Sequence, residues 1–125
     1  MKKKERINFN SQIEGFIKEY RLKKRPIEVS FRELVPNFNN PNRASHLIHA
    51  YPAKLLMHIP FFFLNNTILS RKKQTVLDPF CGSGTVLLES MISGRKAIGS
   101  DANPLARIIT EVKTANYSIK TLNSH

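Results

Sequence analysis

The sequence predicts an α/β fold that begins a parallel sheet with flanking helices, and three observations predict it. First, residues 75–77 (Thr-Val-Leu) are β-branched and aliphatic, which is typical of a buried strand. Second, a segment with two glycines, residues 78–85 (Asp-Pro-Phe-Cys-Gly-Ser-Gly-Thr), leads into a helix-forming stretch. Third, residues 96–100 form another candidate strand, which ends at Asp101. This order of elements is the opening of a Rossmann-like parallel sheet.

The segment with two glycines has the features of a ligand-binding loop. Gly82 and Gly84 allow the backbone to turn tightly and to approach a ligand closely. Asp78 lies at the carboxyl end of the first strand, where open α/β sheets bind their ligands. Asp101 follows Gly82 by about 20 residues, which is the offset at which an acidic side chain meets ribose hydroxyls. The pattern therefore predicts a site for a nucleotide-type cofactor.

The amino-terminal half predicts helices separated by loops. Apolar residues spaced three and four apart indicate an amphipathic helix over residues 11–24, which Pro26 ends. Residues 36–43 are rich in Asn and Pro and predict a loop. Residues 53–64 are mostly apolar and predict a buried helix that is interrupted or bent at Pro60.

Two helices are expected downstream of the glycines, each with a recognisable end. The helix that begins after the glycine segment is expected to run to about Ser93, with Gly94 as its terminator. The last helix is expected to begin with Asn103 as its cap and Pro104 at its first position.

The chain is short and strongly basic. Its 125 residues allow at most one domain, and its formal net charge of +11 favours a polyanionic partner, with nucleic acid before a membrane. Residues 1–25 hold nine Lys or Arg and three Glu. A solvated basic arm explains the same charge equally well. We expect residues 1–30 to form a basic extension with one helix, and residues 31–125 to form an incomplete cofactor-binding part.

Other bulk features favour the cytoplasm. Cys81 is the only cysteine, which excludes an internal disulfide and fits a reducing compartment. The basic amino terminus is not followed by the apolar run of a signal peptide. The longest apolar run, residues 59–64, is far shorter than the ~20 residues needed to span a bilayer. We therefore expect a cytoplasmic protein without membrane association.

Three segments resemble the DNA amino-methyltransferases, which methylate the exocyclic amine of cytosine or adenine. Residues 78–85 closely resemble the cofactor-binding motif of that family. Residues 46–54 (His-Leu-Ile-His-Ala-Tyr-Pro-Ala-Lys) resemble the segment that precedes this motif, and residues 99–106 are similar to the second acidic strand end. The resemblance covers residues 31–114, and residues 1–30 do not contribute to it.

The resemblance implies a partial Rossmann-like methyltransferase fold and S-adenosylmethionine as the cofactor. It implies that Asp78, Phe80, Gly82 and Gly84 hold the methionine portion, that Asp101 binds the ribose hydroxyls, and that the pocket is flanked by Tyr51, Pro52, Ala53 and Lys54. The chemistry agrees, because the cofactor carries a sulfonium, an ammonium and a carboxylate. Its site needs a carboxylate, close backbone N–H groups and a nearby cation.

Two other functions for individual residues are disfavoured. Cys81 follows Phe80 inside the glycine loop and not in the Pro-Cys motif of the cytosine carbon-five enzymes, so we expect it to be a small filler. His46 and His49 lack a Cys or carboxylate at a suitable spacing, so we expect them to be structural or pocket-lining and expect no metal.

The catalytic part of such an enzyme is missing from these residues. In the family, a Pro-Pro-Tyr type of motif aims the target amine, but no Pro-Pro dipeptide occurs here, and the sequence ends eleven residues after Thr114. We therefore expect no catalytic residue in this chain. The expected partners are DNA and a second methyltransferase polypeptide that carries the catalytic motif and the target-recognition region.

The sequence leaves two other functions open. One is a fragment of a transfer RNA guanine amino-methyltransferase, which uses a similar glycine loop. The other is a non-catalytic remnant that binds cofactor or nucleic acid. Residues 51–54 favour DNA over transfer RNA, and the sequences of residues 78–85 and 51–54 together favour the cytosine amino group over that of adenine. A restriction-modification setting follows from that resemblance.

Overall fold

The computed structural model describes residues 8–35 and 54–116, and these form five helices and two strands. In chain order they are α1 (Asn10–Lys23), α2 (Phe31–Leu34), α3 (His58–Leu64), β1 (Thr75–Asp78), α4 (Thr85–Ile92), β2 (Lys96–Gly99) and α5 (Pro104–Thr114). The predicted α/β class is confirmed. A Rossmann-like arrangement beyond these two strands stays a prediction.

The two strands form a parallel sheet that α4 covers on one face. Leu77 of β1 lies opposite Ile98 of β2, and Gly99 is the next residue of β2. A Cβ at Gly99 would lie 2.5 Å from the Leu87 side chain of α4, so Gly99 faces that helix. Because side chains alternate along a strand, Leu77 and Ile98 point to the opposite face. They are 66% and 58% exposed, so the predicted burial of β1 is wrong for this face.

A separate apolar core joins α1 to α3. Its buried members are Phe9, Ile13, Val35, Phe61 and Phe62. The rings of Phe9 and Phe62 lie 4.9 Å apart, and the N–H of Phe9 donates to the carbonyl of Asn65 at 2.9 Å. Of the apolar face predicted for the first helix, Ile13 is buried in this core, Phe16 and Ile17 are partly buried against it, and Tyr20 is exposed.

Helix α3 begins later than the sequence predicted. Residues 54–57 are not helical, Ala53 lies outside the described residues, and α3 starts at His58. Pro60 explains the difference, since proline has no N–H to donate and its ring clashes with the carbonyl four residues earlier. A proline is tolerated only in the first turn of a helix, and that is where Pro60 lies. The predicted loop at residues 36–43 also lies outside the described residues.

The predicted ends of α4 and α5 are confirmed. Gly94 adopts a left-handed conformation with φ of 78° just after α4, as expected of a helix terminator. The Asn103 side chain accepts from the N–H of Leu105 at 3.0 Å, and Pro104 occupies the first position of α5. The end of β2 lies beside the glycine loop, where the N–H of Cys81 donates to the carbonyl of Ser100 at 2.9 Å.

Candidate functional site

The loop between β1 and α4 contains two glycines with left-handed backbone. Gly82 and Gly84 have φ of 49° and 72°, a region that side-chain-bearing residues rarely adopt. Gly84 is also the amino-terminal cap of α4, and a Cβ there would lie 2.8 Å from the Thr110 side chain of α5. Both the backbone conformation and the close approach of α5 therefore require glycine at residue 84.

A cavity of about 370 Å³ opens at the carboxyl end of β1 beside this loop. It is lined by Lys54, Leu55, Leu77, Asp78, Phe80, Cys81, Gly82, Ser83, Thr85 and Val86. Its size lies within the ~300–1,000 Å³ range of small-molecule sites. The cavity brings together a cation, a carboxylate and a glycine loop, which are the chemical groups predicted from the sequence.

The predicted site residues occupy four kinds of position, and Asp101 lies outside the cavity lining, attached to the loop by hydrogen bonds. Lys54, Asp78, Phe80 and Gly82 line the cavity together. Gly84 begins α4 at the base of the loop. Tyr51, Pro52 and Ala53 lie outside the described residues. The binding role of each residue stays a prediction.

Asp101 is attached to the loop by hydrogen bonds. Its Oδ2 accepts from the N–H of Gly82 at 2.8 Å, and its Oδ1 accepts from the N–H of Asn103 at 2.9 Å. These two backbone N–H groups, helped by Arg107, lower the pKa of the Asp101 carboxyl below its usual value. A carboxylate offers about four lone pairs, so each oxygen retains capacity to accept a further hydrogen bond.

Two residues of α5 that the sequence analysis did not identify also hold the loop. Thr110 Oγ1 donates to the carbonyl of Gly82 at 2.8 Å, and Lys113 Nζ donates to the carbonyl of Ser83 at 2.6 Å. Lys113 is buried, and burial, followed by the nearby charge of Lys54, lowers its pKa to about 8. The sequence signal for a buried Lys113 is its position four residues after Ile109, on the same buried face of α5.

Several hydrogen-bond donors near the cavity have no acceptor among the described residues. The Thr85 hydroxyl is buried, lines the cavity and makes no hydrogen bond there. Within the same described residues, the backbone N–H groups of Ser83 and Val86 also make none. Donors at the start of a helix favour a negatively charged or carbonyl oxygen. The cavity can therefore bind a polar ligand that carries both an anionic and a cationic group.

Cys81 is buried in the same loop. It is 8% exposed, and burial raises the pKa of its thiol. A protonated, enclosed thiol is a poor nucleophile, so the packing favours a filler role over a catalytic one. His46 and His49 lie outside the described residues. Within residues 8–35 and 54–116, no group of three or more His, Cys, Asp or Glu is arranged to hold a metal ion.

No helix in the described part of the chain combines the length and the apolar character needed to cross a bilayer. The longest described helix, α1, has 14 residues and carries several charged side chains.

Comparison with known proteins identifies the family. Over 77 residues the chain is 36% identical to the type II methyltransferase M.MjaII of Methanocaldococcus jannaschii. This alignment covers 62% of this chain and 14% of that protein. Over 76 residues it is 33% identical to the type II methyltransferase M.MvaI of Kocuria varians. This second alignment covers 60% of this chain and 17% of that protein. The aligned part is thus less than a fifth of each relative. No solved structure matches the chain.

The family model of the N6/N4 DNA methylases matches residues 2–111. The match includes α1, which the sequence resemblance had left out, together with the glycine loop and almost all of α5. Because most of the chain is matched, the protein belongs to the N6/N4 DNA methylase family.

Proposed function

We propose that this chain is the S-adenosylmethionine-binding part of a site-specific DNA methyltransferase that methylates an exocyclic amino group. The observation that carries the proposal is the cavity beside the glycine loop, where Lys54 and Asp78 meet backbone and hydroxyl donors. We assign Asp78, Phe80, Gly82 and Gly84 to the methionine portion of the cofactor.

The chemistry of the cavity fits this cofactor. S-adenosylmethionine presents an α-carboxylate, an α-ammonium and a sulfonium close together. The Asp78 carboxylate matches the positive groups, and Lys54 with the N–H of Ser83 matches the carboxylate. Asp101, which the loop already contacts through Gly82, keeps acceptor capacity for the ribose hydroxyls. We place Tyr51, Pro52 and Ala53 at the flank of the same pocket on the resemblance alone.

We further propose that a second polypeptide completes the enzyme. All-parallel sheets are covered on both faces, whereas Leu77 and Ile98 leave one face of this sheet exposed. The partner would cover this face and supply the Pro-Pro-Tyr motif and the target-recognition region.

The proposed target is the cytosine N4 amine of DNA, in the cytoplasm and in a restriction-modification setting. The family match favours DNA over transfer RNA. The preference for cytosine over adenine rests on the amino-acid sequences of residues 78–85 and 51–54. The basic residues near the amino terminus, including Lys23 and Lys24, would contact the DNA backbone, so binding should weaken steeply with salt.

Calorimetric titration with S-adenosylmethionine tests the cofactor assignment. We expect the 125-residue chain to bind it, and Asp101→Ala to bind at least about tenfold more weakly, since a hydrogen-bonded charged group is worth ~1.5–3 kcal/mol. Glu28→Ala, which removes an exposed acid outside the cavity, is the matched control and should leave affinity unchanged. A wild-type chain that does not bind the cofactor would instead support a non-catalytic remnant.

Complementation tests the two-polypeptide proposal. The chain alone should transfer no methyl group to DNA, and co-expression with a protein bearing the Pro-Pro-Tyr motif should restore transfer. Methyl incorporation is measured into DNA and into transfer RNA in parallel, and the modified base is identified after digestion. Activity of the chain alone would overturn the need for a partner, and incorporation into transfer RNA would overturn the DNA assignment.

A further inference from the structure

The contacts of α5 with the glycine loop fix the direction of one peptide group. Thr110 Oγ1 holds the carbonyl of Gly82, and the N–H of the same peptide group belongs to Ser83. In a trans peptide the C=O and N–H point in opposite directions, and the chain has no cis peptide bond among its described residues. The N–H of Ser83 must therefore point away from α5.

The cavity lies on the side of the loop to which the Ser83 N–H points. Gly82 and Ser83 line the cavity, whereas Thr110 and Lys113 do not. The N–H of Ser83 has no acceptor among the described residues. By contrast, the N–H of Gly82 already donates to Asp101, and that of Gly84 donates to the carbonyl of Cys81 at 2.7 Å. Of the loop's three N–H groups at residues 82–84, Ser83 supplies the one that remains available to a ligand.

The loop carbonyls lie outside α4. Gly82 and Ser83 precede Gly84, the cap of α4, whose carbonyl accepts the first helical hydrogen bond, from the N–H of Leu88 at 3.0 Å. Among the described residues the two loop carbonyls accept from Thr110 and Lys113. Two side chains of α5 therefore hold the loop in a conformation that the start of α4 does not itself impose.

We propose that Thr110 and Lys113 are positioning residues of the cofactor site, which hold the Gly82–Ser83 peptide so that the Ser83 N–H faces the ligand. The inference rests on the proposed function, because it concerns S-adenosylmethionine in the same cavity. Neither residue touches the ligand. Each acts through a loop carbonyl, and Lys113 places its buried ammonium behind the loop while Lys54 lines the front.

Matched substitutions separate positioning from general stability. Thr110→Val removes the donor and keeps the shape, whereas Thr110→Ser keeps the donor. Lys113→Met removes the ammonium and keeps a long apolar chain, whereas Lys113→Arg keeps a cationic donor. Lys72→Met, at an exposed lysine outside the cavity, is the control for the loss of a charge. Melting temperature is measured for every variant of the full chain.

The first readout is the dissociation constant for S-adenosylmethionine. We expect Thr110→Val and Lys113→Met to weaken binding by about tenfold, the equivalent of one hydrogen bond of ~1.4 kcal/mol. Thr110→Ser and Lys113→Arg should recover most of that loss, and Lys72→Met should match the wild type. Unchanged affinity in Thr110→Val and Lys113→Met overturns the proposal. An equal loss in Thr110→Val and Thr110→Ser also overturns it, because it would show that shape and not the donor matters.

The second readout needs no ligand. Hydrogen exchange at the Gly82 and Gly84 amides, which donate to Asp101 and Cys81, should be faster in Thr110→Val than in the wild type and wild-type-like in Thr110→Ser, while amides of β1 stay unchanged. A wild-type chain that binds no S-adenosylmethionine would overturn the proposed function, and this exchange measurement would still decide whether α5 positions the loop. Identical Gly82 and Gly84 exchange in Thr110→Val and wild type overturns the positioning role.

Discussion

The Asp101 carboxylate accepts the backbone N–H of Gly82 at 2.8 Å, which joins the end of β2 to the glycine loop across 19 residues of sequence. The same carboxylate also accepts the N–H of Asn103, just before α5. One side chain therefore links the loop, the second strand and the last helix. Any ligand that binds to Asp101 will meet a group whose position the loop already controls.

Gly84 and Gly94 form a matched pair that isolates the contact between the loop and α5. Both are left-handed, with φ of 72° and 78°. An alanine Cβ would lie 2.8 Å from Thr110 at residue 84, whereas it would meet nothing within 4 Å at residue 94. Gly94→Ala should cost ~1–2 kcal/mol of unfolding free energy, the cost of a left-handed alanine. Gly84→Ala should cost more, measured by urea denaturation. Equal costs would show that Thr110 moves aside without penalty.

Gly99 allows the sheet and α4 to pack closely. A Cβ there would lie 2.5 Å from one Leu87 methyl carbon and 3.0 Å from Cys81 Cβ. Gly99→Ala should therefore cost ~1–3 kcal/mol of unfolding free energy through overpacking. Gly15→Ala is the control, because it meets nothing within 4 Å on α1 and should stabilise the chain by ~0.5–1 kcal/mol through helix propensity. A stability increase in both variants would contradict the packing described for α4.

Lys113 should make the stability of the chain depend on alkaline pH. Its pKa is lowered from 10.5 to about 8, so between these values the unfolded chain binds more protons than the folded chain. The free energy of unfolding should then rise with pH in this window, by at most ~1.4 kcal/mol per pH unit from this group. Denaturation of the wild type and of Lys113→Met from pH 7 to 10 measures the contribution as a difference.

Cys81 has the opposite effect on the pH dependence of the free energy of unfolding. Its pKa is raised above 9.0, so the folded chain holds the thiol proton longer than the unfolded chain. Stability from Cys81 should fall as pH rises above about 9. Both variants retain Cys81, so its effect cancels in the comparison. A difference curve that is flat between pH 8 and 10 would contradict the lowered pKa of Lys113.

The exposed face of the sheet should be needed for the partner and not for the chain itself. Ile98→Lys alters a side chain that is already 58% exposed, so the melting temperature should change little, and self-association of the isolated chain should fall. Complementation by the catalytic polypeptide should be lost. Leu22→Lys, at an equally apolar but 77% exposed position of α1, should leave complementation intact. Equal activity of both variants would place the partner elsewhere.

The local structure around the site could be predicted because its signals are short in range. The glycines permit left-handed backbone, Asn103 caps the helix that Pro104 begins, and the apolar residues after Gln74 favour a strand. Each of these preferences arises from the residue itself or from neighbours within one helical turn. The start of α3 could not be predicted from the apolar pattern, because that pattern continues across residues 53–64 and does not show on which side of Pro60 the helix is interrupted.

The sequence by itself determined the order of strand, glycine loop, helix and acid, because backbone conformation and capping depend on adjacent residues. Only the tertiary structure decided what holds the loop. Thr110 and Lys113 reach its carbonyls from 28 and 30 residues away, and no periodic pattern records such a distance. The tertiary structure also decided that Leu77 and Ile98 remain exposed, because burial depends on which elements are present to cover a face.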